Sequence, residues 1–114
     1  MTDKYKGIVE LDIAGAKRGF KFGVRAMMIL AELEKIKFED IETHLKNSEG
    51  VISTQMNFFL SGAISYARLI KIEDPTLDEV CAWVDEYGYD KLEKEAAKSM
   101  DIPNEEAPKE GAKI

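Results

Sequence analysis

The sequence predicts a mainly α fold with a small N-terminal β-hairpin, an α+β domain of about five helices around a central helix at 51–71. Three observations lead there. The stretch from Val51 to Lys71, VISTQMNFFLSGAISYARLIK, laid out at about 100° per residue, gathers Ile52, Met56, Phe59, Leu60, Ala63, Ile64, Ala67 and Ile70 on one broad face. Ahead of it, Gly7 to Phe22 alternates apolar and polar residues, as half-buried strands do. Glycine, proline and capping residues then cut the remaining chain into helix-length pieces.

In the hairpin, 7–22, Val9, Leu11 and Ile13 point one way and Glu10 and Asp12 the other. Ala14, Gly15 and Ala16 supply the turn, and Phe20 and Phe22 lie on one face of the returning strand. Arg18 and Lys21 are expected beside Glu10 and Asp12 on a solvated side. A two-stranded hairpin is marginal in water, so its apolar face must rest on helices or extend a sheet in another subunit. At Gly23 the period changes to that of a helix, expected over 24–36, with Val24, Met27, Leu30 and Ala31 facing inward and Arg25 and Glu32 outward. A short helix over 38–47 follows, with Phe38, Ile41 and Leu45 as a thin stripe, stopped by Asn47 to Gly50.

The central helix, 51–71, carries Val51, Phe58 and Leu69 at one margin of its apolar face and a narrow polar strip, Thr54, Asn57, Ser61, Ser65 and Arg68. So wide an apolar arc requires neighbours on most of its circumference. Gly62 beside Ala63 predicts a second helix crossing closely there. Gln55, Asn57 and Arg68 weigh against a membrane span. Asp74 and Pro75 stop this helix, and Thr76 with Glu79 forms a capping box for the next, 77–87. Leu77, Val80, Cys81 and Val84 are its expected buried stripe, and Gly88 ends it. A last helix, 89–100, has Leu92, Ala96 and Met100 inward. Residues 1–100 thus read as one globular domain, and 101–114, with two prolines, a glycine and four acidic residues, as a flexible acidic tail.

Composition narrows the function. A chain of 114 residues with 45% hydrophobic content suits one core. Its net charge of -6, without a basic stripe, argues against a nucleic-acid binder. The excess is C-terminal: residues 72 to 114 hold thirteen acidic and five basic side chains, which favour solubility or steer a basic partner. One cysteine excludes an intrachain disulfide, and the opening MTDKYKG carries no secretory pattern, so cytoplasmic production is expected.

No catalytic constellation emerges. His44 lacks cysteines or a second histidine at metal-ligand spacing and reads as a surface histidine. Cys81 sits on an apolar stripe as a small hydrophobe. The carboxylates Glu39, Asp40 and Glu42, and Asp85 with Glu86, diverge around helices rather than converge on a substrate. Gly15, Gly19 and Gly23 bracket a hairpin instead of forming a phosphate loop, and Ser61 and Ser65 lack a nucleophile elbow. Neither a cofactor nor a metal is expected, and the weight falls on protein binding.

The order of elements and some of their wording resemble the small tail assembly chaperones of long-tailed bacteriophages and prophages. The residues that carry the resemblance are the hairpin ELDIAGAKRGFKFG with its Phe20, Phe22 and Gly23 step, the helix ending in LEKI, the short FEDIETHL, the long apolar helix, and PTLDEVCAWVDEYGYDKL. It spans about Ile8 to Met100. It implies a non-enzymatic helical domain that keeps the tape measure protein soluble, assists its packaging by tail tube protein in the host cytoplasm, and is absent from the mature virion. Many members also have a longer product made by ribosomal frameshifting near the end of the gene, close to the tail here. No catalytic residue of the family exists to transfer.

From the residues alone, Phe58, Leu69, Trp83 and Tyr87 are candidates for a partner or subunit surface, or else they complete the monomer core. The partners expected are the tape measure protein and tail tube protein, and the same apolar area suits homo-oligomerisation. A structural tail or neck subunit that stays in the particle is the alternative; a small enzyme would need a convergent polar site.

Overall fold

The computed structural model describes residues 7–100. Two antiparallel strands, β1 (Ile8–Ile13) and β2 (Ala16–Lys21), precede five helices: α1 (Val24–Glu34), α2 (Ile41–Asn47), α3 (Ile52–Ile70), α4 (Leu77–Tyr87) and α5 (Tyr89–Met100). One turn of 3₁₀ helix, Phe38–Asp40, leads into α2 where a continuous helix was expected. The expected tail, 101–114, lies outside the described residues.

The hairpin turn is shorter than expected. Ala14 and Gly15 both have positive φ, 54° and 83°, the pattern of a two-residue I′ turn, while Ala16 already pairs with Ile13. Register follows: Val9 opposes Phe20, Leu11 opposes Arg18 and Asp12 opposes Lys17. Opposed residues share a face, so Arg18 lies with Val9, Leu11 and Phe20 on the inner side, not with Glu10 and Asp12. Trp83 makes this tolerable, because the guanidinium sits 5.0 Å above its ring. The hairpin rests on the chain's own helices: β2 runs along α3, and β1 touches α4 and α5.

Helix α3 is the centre, contacted by β2, α1 and α4. Its faces differ from the sequence expectation. Thr54, Ser61 and Ser65 of the supposed outer strip are buried, whereas Ile52 and Ile70 of the supposed inner face are 58% and 46% exposed. Thr54 bonds to Glu34 at the end of α1, and Ser61 satisfies its own Oγ–H on the Phe58 carbonyl, so its burial costs little. Gly62 is indeed a point of close approach, but the neighbour is an aromatic ring: a Cβ there would lie 2.4 Å from Phe22. Phe22 in turn stacks on Phe58 at 4.8 Å and on Phe20 at 5.8 Å.

The main core joins Val9, Phe20, Phe22, Phe59, Leu60 and Ala63 to Val80, Val84, Leu92 and Ala96; a smaller one holds Leu30, Ala31 and Ile41, and Phe58 touches both. Val24, Phe38 and Leu77, each expected inside, are exposed. Helices α1 and α3 end alike, at Lys35 and Lys71 in the left-handed region. The next N–H, of Ile36 and of Ile72, bonds back to Ala31 and Ala67, closing a Schellman turn. The capping box of α4 is present, with Glu79 N–H donating to Thr76 Oγ1 at 3.2 Å and Thr76 N–H to Glu79 Oε1 at 2.8 Å.

Candidate functional site

A cleft of about 570 Å³ opens where β2, α3 and the α3–α4 connection meet. Ala63, Ala67 and Ile70, one helical stripe of α3, line it together with Ile72, Pro75 and Trp83. Lys17, Arg18 and Gly19 contribute from β2; Glu73, Asp74, Thr76 and Glu79 contribute from the connection and the start of α4. Tyr66 reaches across Gly19, where any Cβ would meet its ring at 2.2 Å, and donates its hydroxyl proton to Glu10 Oε2 at 2.5 Å. That bond to a carboxylate, then partial burial, then the Glu10 charge push the phenol up to about 12.

Most polar groups in the cleft are committed to the fold. Arg18 Nε–H donates to the Ile13 carbonyl at 3.3 Å, and Asp74 accepts from Arg68 at 3.1 Å. Thr76 and Glu79 satisfy each other at the α4 cap. Glu73 is exposed and in no ion pair among the described residues, and Lys17 merely stands opposite Asp12 in the ladder. What the cleft presents is an apolar floor with charged margins. Beside it, Leu69, Ile70, Ile72 and Leu77 are all exposed, crowding four large apolar side chains into residues 69–77.

A second polar cluster lies across the molecule's smaller core. Glu34 Oε1 accepts from His44 Nε2 at 2.8 Å and from Thr54 Oγ1 at 3.0 Å, and its Oε2 accepts from Asn57 Nδ2 at 2.6 Å. Burial pushes this carboxyl up, but the three hydrogen bonds and the His44 charge outweigh it and hold it below the ordinary carboxylate range. A carboxylate so fully engaged makes a poor general base; it pins α2 and α3 to the end of α1. His44, expected on the surface, is therefore half-buried and bonded, and no local signal could show it because its partner lies ten residues away.

Of the four residues singled out from the sequence, only Trp83 lines the cleft, edge-on to Phe20 at 6.0 Å. Leu69 is exposed nearby on α3. Phe58 is half-buried between the two cores, and Tyr87 packs on the main core with the Lys91 ammonium 4.6 Å over its ring. Ile70, Ile72, Tyr66 and Arg18 were not singled out. Strand parity was the available signal for Arg18, and the residue following a left-handed helix end for Ile72.

Among the described residues no helix is long and apolar enough to cross a membrane, and no group of three or more histidine, cysteine or carboxylate residues could hold a metal ion. Compared with family models, curated proteins and solved structures, the chain matches none.

Proposed function

We propose that this chain is a tail assembly chaperone of a long-tailed bacteriophage or prophage. It binds the tape measure protein, keeps it soluble while tail tube protein assembles, acts in the cytoplasm of the bacterial host and does no covalent chemistry. The observation that carries this reading is the cleft: an apolar floor bordered by exposed Ile70 and Ile72, whose polar groups are mostly committed to the fold. Such a surface suits helix-in-groove recognition of another protein. The resemblance to that family rests on the order of hairpin, helices and capped α4, and that order supports the reading.

Co-expression with the tape measure protein of the same genome, affinity capture and sizing of the product test it. A soluble complex that forms only when the chain is present is the expected result. No complex, with the chain recovered in purified particles, would replace it with the structural-subunit reading.

A further inference from the structure

We infer that the cleft takes an amphipathic helix of the partner whose apolar stripe is flanked by carboxylates on one side and by basic side chains on the other. The inference rests on the reading of the chain as a protein-binding chaperone and adds the chemistry of what is bound. The apolar surface a partner can touch is Ile70, Ile72, Pro75 and Trp83, because Ala63 and Ala67 behind them are 2% and 1% exposed and belong to the fold. The charges of the lining that are not already committed are Lys17 on the β2 side and Glu73 on the α3–α4 side, since Arg18 lies over Trp83, Asp74 pairs with Arg68 and Glu79 closes the α4 cap. A bound helix with both charge signs segregated along its stripe satisfies both margins, whereas one with a single sign meets repulsion on one of them. An added β-strand is disfavoured, since Gly19 is buried and the Tyr66 ring lies against it.

Trp83 is the only tryptophan of the chain and lines the cleft, so its emission reports occupancy. Three model peptides of about 18 residues, long enough for five helical turns, share a leucine stripe and differ in flanks: one Lys and one Glu, both Lys, or both Glu. The 114-residue chain should give a saturable blue shift with the mixed peptide, bound about threefold more tightly than either other, as exposed ion pairs allow. Lys17→Glu should make the Lys-flanked peptide the best ligand, and Glu73→Lys the Glu-flanked one. Ile70→Asp should weaken all three by about tenfold although it adds negative charge, whereas Val24→Asp, on another exposed site, should change nothing. Both charge swaps fall on exposed side chains, and a melting curve checks that each variant is folded.

A wild-type ranking retained in the swapped variants, or no saturable response in a folded chain, overturns the inference. So does a Trp83 emission that changes with protein concentration in the absence of peptide, which would put a second copy in the cleft, or one that shifts when residues 101–114 are removed. Tape measure capture that survives alongside any of these outcomes leaves the chaperone reading standing without this site. Correct peptide ranking without capture removes the tape measure protein as partner and keeps the helix-binding site.

Discussion

Replacing Gly62 by alanine sets two effects of opposite sign against each other. In a helix interior alanine is favoured over glycine by about 1 kcal/mol. Here the new Cβ would lie 2.4, 2.7 and 3.0 Å from three atoms of the Phe22 ring, so the ring must retreat by roughly 1 Å to reach ordinary contact near 3.5 Å. Retreat is opposed by the aromatic neighbours, Phe58 stacked at 4.8 Å and Phe20 at 5.8 Å. Overpacking of this kind costs about 1–3 kcal/mol, and the stacked rings place it toward the upper end. The expected net is a loss of about 1–2 kcal/mol, or roughly 5–15 °C in Tm for a domain of this size. Urea unfolding followed by Trp83 emission measures it. Paired with Phe22→Leu, the double variant should recover about 1 kcal/mol relative to the sum of the singles. A Gly62→Ala protein more stable than wild type would show that propensity wins and that the ring does not press on the helix.

Three further substitutions read other parts of the fold. Ala14 holds a left-handed conformation in the I′ turn, so Ala14→Asn, which gives the favoured Asn-Gly pair, should stabilise by about 0.5–1 kcal/mol in the same urea assay. Glu34→Gln removes a charge that accepts three hydrogen bonds and should cost about 1–3 kcal/mol near neutral pH. Because the folded carboxyl is held below its ordinary range, that advantage is present above the unfolded pKa of about 4.3 and lost as pH falls through the folded value; urea midpoints of the two proteins should converge in acid. Tyr66→Phe should cost under about 1 kcal/mol at pH 7, since the bond to Glu10 is exposed. With the folded phenol raised to about 12, the wild-type advantage is complete below pH 10 and disappears as pH rises toward 12, which urea midpoints across that range would trace.

The order of elements is legible in the sequence because each boundary has a local cause: the period change at Gly23, the stop at Asp74-Pro75, the Thr76–Glu79 box and the break at Gly88. Which face of a helix is buried is less legible, because it depends on what arrives from elsewhere. Hydropathy puts Ile52 and Ile70 inside and Ser61 and Ser65 outside, yet Ser61 and Ser65 are buried and Ile52 and Ile70 exposed, while α3 meets α1 through Thr54, Asn57 and Phe58. A gap at Gly62 is readable from its missing side chain, but its occupant, the ring of Phe22, lies forty residues away in the sequence. The same holds for Glu34, whose three partners come from α2 and α3. Of the cleft, Trp83 was visible as an aromatic at the margin of an amphipathic helix; Lys17, Tyr66 and Glu73 converge only through the packing of the hairpin on α3.

The two Lys-Ile helix ends make the functional argument from within one molecule. Local geometry is shared: a left-handed lysine, then an isoleucine whose N–H returns to the helix. Ile36 is drawn against Leu30, Ala31 and Ile41 because α2 lies beneath it, while Ile72 has the cleft beside it and stays 58% exposed. A fully buried isoleucine is worth about 1.5–3 kcal/mol, so α1 has used most of that stabilisation in folding and α3 retains much of it for a partner. Ile36→Ser should therefore destabilise the chain by about 1–3 kcal/mol and leave peptide affinity alone. Ile72→Ser should keep stability within about 0.5 kcal/mol and weaken peptide binding severalfold. Melting and Trp83 titration of the same two variants separate the effects, and an Ile72→Ser protein that melts early but binds normally would make the exposed end of α3 a piece of the core and not a contact surface.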